Sequence, residues 1–522
     1  MKHLRGLYTF MFGVAVLLFF GLAYPHHLHY QEQFQLFLFD STYVWEIVRL
    51  PGGIADLLGR FCTQFFLFAW FGAIIIALLL SLVQLLTLRL ISSSFSILHS
   101  QLFYGLSFVP SFLLWLFLLD ENALLGGVWA VLLTLLAAWG FDQTAMRQTR
   151  WTRRMLLIAA VPILYWMVGP VCIVFFLLQV LRAHGTRGEN ETTGTVAWYY
   201  GAFVLLAIML VILSSYVPVP ADKLWTGIHY YRYPTIVPVL LWSAALSVFV
   251  VALIVRVFHK SKDASARPVV TLASFVLVSV VMGFFVWKNS NFRAEKVMQY
   301  DFMACHQQWN RILQTVSAEK PNNQIGVTVQ NLALAMHGML AEHLFEYNQN
   351  GILGLLPDVQ SDATSPMPTA EAFYQLGMIN VAQRTVFEAQ EAILDFQKSG
   401  RCYKRLAQTN LINGKYEVAC KYLMALQKTL FYRDWANETL QLLGNEEAIA
   451  KHPEYGPLRQ YAYHNDFYFS DHVTPEMLEC LYYGNQDNHL AFQYLMAYYM
   501  LTGDREGYTK LMEEVRSKRE DV

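Results

Sequence analysis

Residues 268–301 read PVVTLASFVLVSVVMGFFVWKNSNFRAEKVMQYD, and the solvent the chain is written for changes inside them. The twenty residues to Trp287 carry no charge. As a helix they span about 30 Å, the thickness of a bilayer's hydrocarbon core. From Lys288 onward charges return every few residues, as they do on water-facing helices.

Working outward, the 522-residue chain divides at this join. Residues 1–287 are expected to form a transmembrane helix bundle, and residues 288–522 a soluble domain. The first part carries 17 Lys+Arg against 11 Asp+Glu; the second carries 21 against 28 and is net acidic by 7. An acidic domain without a basic stripe excludes nucleic acid as a natural partner. The lipid bilayer is the partner that composition demands.

Apolar blocks long enough to cross lie at 6–24, 64–88, 101–119, 123–140, 197–217, 234–256 and 268–287. The first follows Lys2 and Arg5 and ends on a weak cleavage site at Gly21–Pro25, which favours an uncleaved anchor. An eighth block, 155–182, is interrupted by Gly169-Pro170. The arginines at 147, 150, 153 and 154, and the basic residues Arg256, Lys260, Lys262 and Arg267, mark two cytoplasmic loops. An even number of crossings must separate them. Two short arms turning at Gly169-Pro170 satisfy this; one kinked 28-residue helix does not. With the turn, loops 25–63, 120–122 and 218–233 share the outer face with the C-terminal domain. No span centre carries an ionisable residue, which disfavours an ion-coupled pump.

The outer loops hold the polar chemistry. Residues 31–50 are too polar to span and carry Phe34, Phe37, Tyr43, Trp45, Ile47 and Val48, which suits an interfacial helix ended by Pro51-Gly52-Gly53. Glu32, Asp40, Glu46 and Arg49 form a catalytic or phosphate-binding candidate set, or simply the polar face of that helix. Lys223, His229 and Arg232 sit among aromatics in the 218–233 loop; cations there suit a lipid phosphate, while the aromatics suit an interfacial belt. His26, His27 and His29 lack a completing ligand, so no metal and no cofactor is expected. The six cysteines show no metal spacing; a Cys402–Cys420 bridge is conceivable only outside the cytoplasm.

An acidic residue just after the first span, an interfacial helix, a re-entrant pair and an external domain together resemble the GT-C glycosyltransferases. That resemblance implies transfer of a sugar from a polyprenyl-phosphate carrier at the outer leaflet. By position it makes Glu32 the catalytic base, with Asp40 the second choice. The family's usual paired acid is absent, since Gln31 and Gln33 flank Glu32.

The second half is helical in period. Leu406-Ala407, Asn410, Gly414, Tyr416, Ala419 and Leu423 resemble a tetratricopeptide repeat, with echoes at Leu376-Gly377, at Leu495–Gly503 and from Trp309 to Pro321. Such repeats imply an all-α superhelix that binds a protein partner, or a plain cap on the membrane part. Residues 361–368 read as an internal linker. Gln31–Phe37, Pro51–Gly53, Asn331–Leu334 and Leu411–Tyr416 also resemble an uncharacterised family of Bacteroidota inner-membrane proteins, which implies a multi-pass envelope protein with a periplasmic domain. Two functions stand: a GT-C-like transferase, or a non-enzymatic membrane-anchored scaffold.

Overall fold

The computed structural model describes residues 2–94, 103–145, 149–183, 193–258, 268–321, 323–358, 366–394, 397–463 and 474–520. Arg147, Lys260, Lys262, Arg267 and most of the expected linker fall outside the described residues. The expected all-α class holds: apart from isolated bridges, the described residues contain no strand. The chain divides into two compact units, Met1–Glu32 with Phe39–Asn291, and Gln33–Leu38 with Phe292–Val522.

In the first unit α1 (Lys2–Leu18) runs into a π turn, Phe19–Ala23. Short helices α2 (Pro25–Glu32), α3 (Ser41–Val48) and α4 (Gly53–Thr63) precede the long α5 (Ala69–Ser94). Then come α6 (Val109–Phe117), entered through a 3-10 turn, α7 (Leu125–Ala145), α8 (Arg150–Val168), α9 (Ile173–Ala183) and α10 (Thr193–Leu213). The short α11 (Ala221–Thr226), α12 (Val239–Phe258) and α13 (Pro268–Asn289) complete it. Among the described residues, six stretches are long and apolar enough to cross a membrane: Leu4–Ala23, Ala69–Ser92, Leu125–Thr144, Trp151–Arg182, Val239–Val257 and Val269–Asn289. Gly105–Phe117 and Ala197–Leu213 are shorter apolar helices. This is a multi-pass membrane protein.

Side-chain contacts fix the direction of each helix. Arg182, at the end of α9, pairs with Asp142 at the end of α7 and donates to the Leu90 carbonyl at 3.1 Å. Arg256 donates to the Leu181 carbonyl, and Arg153 stands 5.9 Å from the Phe141 ring. So the start of α8 and the end of α9 meet the same end of α7. Trp151–Arg182 therefore turns back at Gly169–Cys172. At the opposite end the Asn291 amide donates to the Tyr24 hydroxyl at 2.6 Å.

Of the expected interfacial helix over 31–50 only Ser41–Val48 forms as a separate helix. α2 stops at Glu32, Gln33–Phe34 is a turn, 35–40 is irregular, and α3 starts after Asp40, whose carboxylate caps it by accepting from the Thr42 amide at 2.9 Å. Phe34, Leu36, Phe37 and Leu38 would occupy opposite faces of one helix here, and the irregular segment buries them all. Pro51-Gly52 does end α3 as expected.

The second unit is a run of helices: α14 (Phe292–Cys305), α15 (Trp309–Ala318), α16 (Gln324–Met336), α17 (Leu340–His343), α18 (Pro366–Leu376), α19 (Ile379–Glu391), α20 (Gly400–Ile412), α21 (Tyr416–Leu426), α22 (Arg433–Leu440), α23 (Glu446–Lys451), α24 (Tyr455–Tyr461), α25 (Pro475–Gly484), α26 (His489–Thr502) and α27 (Arg505–Glu520). Four pairs, α16/α17, α18/α19, α20/α21 and α26/α27, turn on a glycine with positive φ: Gly338, Gly377, Gly414 and Gly503. A left-handed residue closes a helix cheaply only when it lacks Cβ, so glycine sets each hairpin. The small Ala372, Ala382, Ala407 and Ala419 lie buried in these hairpins and let the helices approach. Across the unit the Asn488 amide, fully buried, donates to the Leu376 carbonyl at 2.9 Å. All six cysteines are free; Cys402 is buried with its thiol toward the Met367 sulfur, so the conceived Cys402–Cys420 bridge is absent.

Candidate functional site

One polar layer of the first unit lies at the end of the bundle where α8 turns into α9. α4 supplies it. Gly59 lies so close to Gly126 of α7 that a Cβ at Gly59 would sit 2.4 Å from the Gly126 nitrogen. That approach draws α4 into the bundle and carries Asp56 and Arg60, one turn apart, into the interior, where they are 2 % and 7 % exposed. The Arg60 Nε donates to both Asp56 oxygens at 2.9 and 3.0 Å, and Nη2 lies 2.9 Å from Oδ2. Burial works against the Arg60 charge, but Asp56 and Tyr43 outweigh it and hold the guanidinium above its ordinary pKa. Burial also raises Tyr43. This is a charge-assisted fork in which each partner needs the other.

His229 Nδ1 stands 3.9 Å from Asp56 Oδ2. Lys223, on α11, is buried and faces the same crevice, which Pro51, Gly52, Tyr165, Gly169 and Tyr230 also line. The Tyr230 hydroxyl donates to the Val168 carbonyl and accepts from the Val171 amide at 3.4 Å, closing the hairpin turn. Burial pushes that hydroxyl's pKa well up, so it stays a donor at any working pH. Gly52 donates to the Trp166 carbonyl at 2.9 Å, and Trp166 Nε1 donates to the Val48 carbonyl at 3.0 Å. The crevice is about 10 Å³, room for a single water molecule.

Arg232 belongs to a neighbouring cluster. Its amide donates to the Asn122 carbonyl at 2.9 Å and its Nη1 to Asn122 Oδ1 at 3.4 Å, beside a Tyr231 hydroxyl that donates to Asp120 at 2.7 Å. The 120–123 loop also receives the Gln31 amide, at 3.3 Å to both the Asp120 and Ala123 carbonyls. Glu32, next in the chain after Gln31, is also buried. His27 approaches the Leu118 carbonyl at 3.0 Å, and burial lowers its pKa to about 4. Among the described residues no three His, Cys, Asp or Glu side chains are placed to hold a metal.

The sequence-derived candidates thus separate. Lys223 and His229 meet in the crevice. Arg232 attends the 120–123 loop, Glu32 is buried at the end of α2, Asp40 caps α3, and Glu46 and Arg49 are exposed on and just after α3. Asp56 and Arg60 were missed, although Asp56-Leu-Leu-Gly-Arg60 carries its own signal: opposite charges four residues apart between apolar neighbours.

Neither the curated proteins nor the solved structures contain a match to this chain. A family model matches residues 1–520, and the chain belongs to that family, described as a family of unknown function (DUF6057).

Proposed function

We propose that this protein is a non-enzymatic, membrane-anchored docking protein of the cell envelope, with its second unit on the face opposite the arginine-rich turns and a protein as its partner. The observation that carries this is Gln33–Leu38. The helical-hairpin unit takes in this non-helical stretch of chain, with the Leu36 amide donating to the Lys398 carbonyl at 2.9 Å, a main-chain contact of the kind peptide-docking modules make. An inner-membrane setting with a periplasmic second unit follows from the Lys/Arg bias of the turns. The polar layer fits this role as a lock: Asp56 and Arg60 satisfy each other, and the crevice is far below the volume of a lipid headgroup.

The experiment compares two changes in cells lacking the native gene. A chain ending after Asn291 that still reaches the membrane at normal level should fail to complement. The full chain carrying Lys223→Met and His229→Gln should complement. Complementation by the truncated chain sinks the docking role.

One observation favours a second reading, a GT-C-like transferase using a polyprenyl-phosphate-linked sugar. Asp56, His229 and Lys223 share one crevice, so a carboxylate base and a phosphate-binding cation would be adjacent if it opened. On that reading Asp56 replaces Glu32 as the base. Loss of complementation by the Lys223→Met, His229→Gln chain, at unchanged membrane level, would select it.

A further inference from the structure

The turn from α14 into α15 departs from a pattern that three later turns of the second unit keep. The Gln307 amide donates to the Ala304 carbonyl at 2.9 Å, and the Gln308 amide to the Met303 carbonyl at 2.9 Å. At Gly338, Gly377 and Gly414 the same pair of bonds closes α16, α18 and α20. Each of those glycines has positive φ and no Cβ to clash. Gln307 takes φ +53° with a full side chain, alone among the described non-glycine residues. Folding by itself favours glycine there, so the retained side chain points to a use outside the fold.

That side chain lines an open hollow of about 410 Å³, within the ordinary size of a small-ligand cleft. Gln308, Trp309, Asn310, Arg311 and His337 complete the lining. Trp309 is half-buried and packs against two apolar clusters, so an aromatic wall is held in place. The polar groups beside it are idle. Their single side-chain bond joins Arg311 Nη1 to Gln308 Oε1 at 3.3 Å. Among the described residues, the side chains of Gln307, Asn310 and His337 and the Trp309 indole N–H bond to nothing. Elsewhere in the unit the amides of Gln330, Asn331, Gln390 and Asn488 are all taken up by main-chain carbonyls.

The hollow thus pairs one aromatic surface with free amides and two basic side chains, and no carboxylate lines it. A sugar ring offers C–H bonds on its face and hydroxyls around its edge. An indole covers the first, and amides, which both donate and accept, answer the second. A bound peptide needs a row of main-chain partners or a set of apolar pockets, and the lining supplies neither. We propose that this hollow is a saccharide-binding site. Trp309 is its stacking platform, and Gln307, Asn310 and Arg311 read the hydroxyls. The site is separate from the docking role and does not depend on it.

The test passes the full chain, labelled and in detergent, over an array of defined oligosaccharides, neutral and acidic. The native chain should be retained on at least one glycan. Retention there should fall about tenfold in Trp309→Leu and in Asn310→Ala. It should not change in Trp435→Ala, which alters a tryptophan outside the hollow. Gln307→Gly gives the sharper readout: the relieved turn should raise the thermal midpoint while retention falls. If no glycan retains the native chain, the proposal is overturned. Retention unchanged by Trp309→Leu, Asn310→Ala or Gln307→Gly also overturns it. So does a lower midpoint in Gln307→Gly, because the glutamine would then be serving the fold.

Discussion

The two units bury their deepest charges in different ways. In the bundle the deepest ion pair, Asp56–Arg60, is made inside one helical turn. In the hairpin unit Arg401 forks onto Asp301 across 100 positions of sequence, at 2.5 and 2.8 Å. One turn further along α20, Arg405 pairs with Glu371 at 2.6 Å and lies 3.6 Å over the Tyr374 ring, whose hydroxyl donates to Glu454 at 2.8 Å. A pair closed within a helix costs no loop entropy and forms with the helix. A pair closed across three helices forms only when α14, α18 and α20 have docked. The deepest pair of the bundle therefore forms with its own helix, with Arg182–Asp142 the cross-helix exception, whereas those of the hairpin unit form only as a tertiary network.

The sharpest way to break this contrast is to remove one partner of each kind. Arg401→Ala leaves Asp301 buried without its cation and should cost about 3–5 kcal/mol, seen as hydrogen exchange rising through α14, α18 and α20 together. Replacing Arg401 and Asp301 together by Met and Leu should recover most of that loss, because well-packed apolar groups rival a buried pair. If the single variant is silent, the network does not organise the unit.

Acid should separate the units next. His27 has its pKa depressed to about 4 from 6.5 by burial. A depressed histidine stabilises the fold above its unfolded pKa, and that contribution is lost as the pH falls through the folded value. The bundle should therefore lose about 3 kcal/mol between roughly pH 6.5 and 4. The thermal inactivation midpoint in detergent follows it, and His27→Gln should flatten the profile over that window. A profile unchanged by His27→Gln would assign the acid response elsewhere.

Smaller effects test the hairpins. Gly414→Ala places a Cβ at φ +69° and should cost about 1 kcal/mol, read as local exchange at the α20/α21 turn. Smallest of all, Lys451→Ala removes an exposed partner of Glu447 and should change stability by no more than about 0.5 kcal/mol.

How much of this was legible follows from the range of each interaction. The Gly169-Pro170 turn, the hairpin glycines Gly377, Gly414 and Gly503 and five of the seven expected apolar spans are local signals that sit where the sequence placed them, whereas the blocks at 101–119 and 197–217 form only the shorter helices Gly105–Phe117 and Ala197–Leu213. Gly338 belongs to the same set but lacks the flanking tyrosine and alanine pattern that exposed the others. The fate of Gln33–Leu38 was half visible. Its mix of amides with Phe34, Leu36 and Phe37 reads as a half-buried helix, and the Lys398 carbonyl that accepts from the Leu36 amide lies more than 350 positions away. The Asp301–Arg401 fork has no local signature at all. Of the site, Lys223 and His229 were readable from charge among aromatics. Asp56 was not, because only the Gly59–Gly126 contact explains why α4 is buried.

The closed turn at Val168–Val171 also sets a timetable for synthesis. Its carbonyl and amide are satisfied by a hydroxyl that emerges from the ribosome 62 residues later. At roughly 5–20 residues per second, that wait is about 3 to 12 seconds. Until Tyr230 arrives, the tip cannot be left bare in hydrocarbon, where an unpaired peptide group is costly. The turn is thus complete only once the loop carrying Tyr230 has been made, and that loop is the latch of the hairpin.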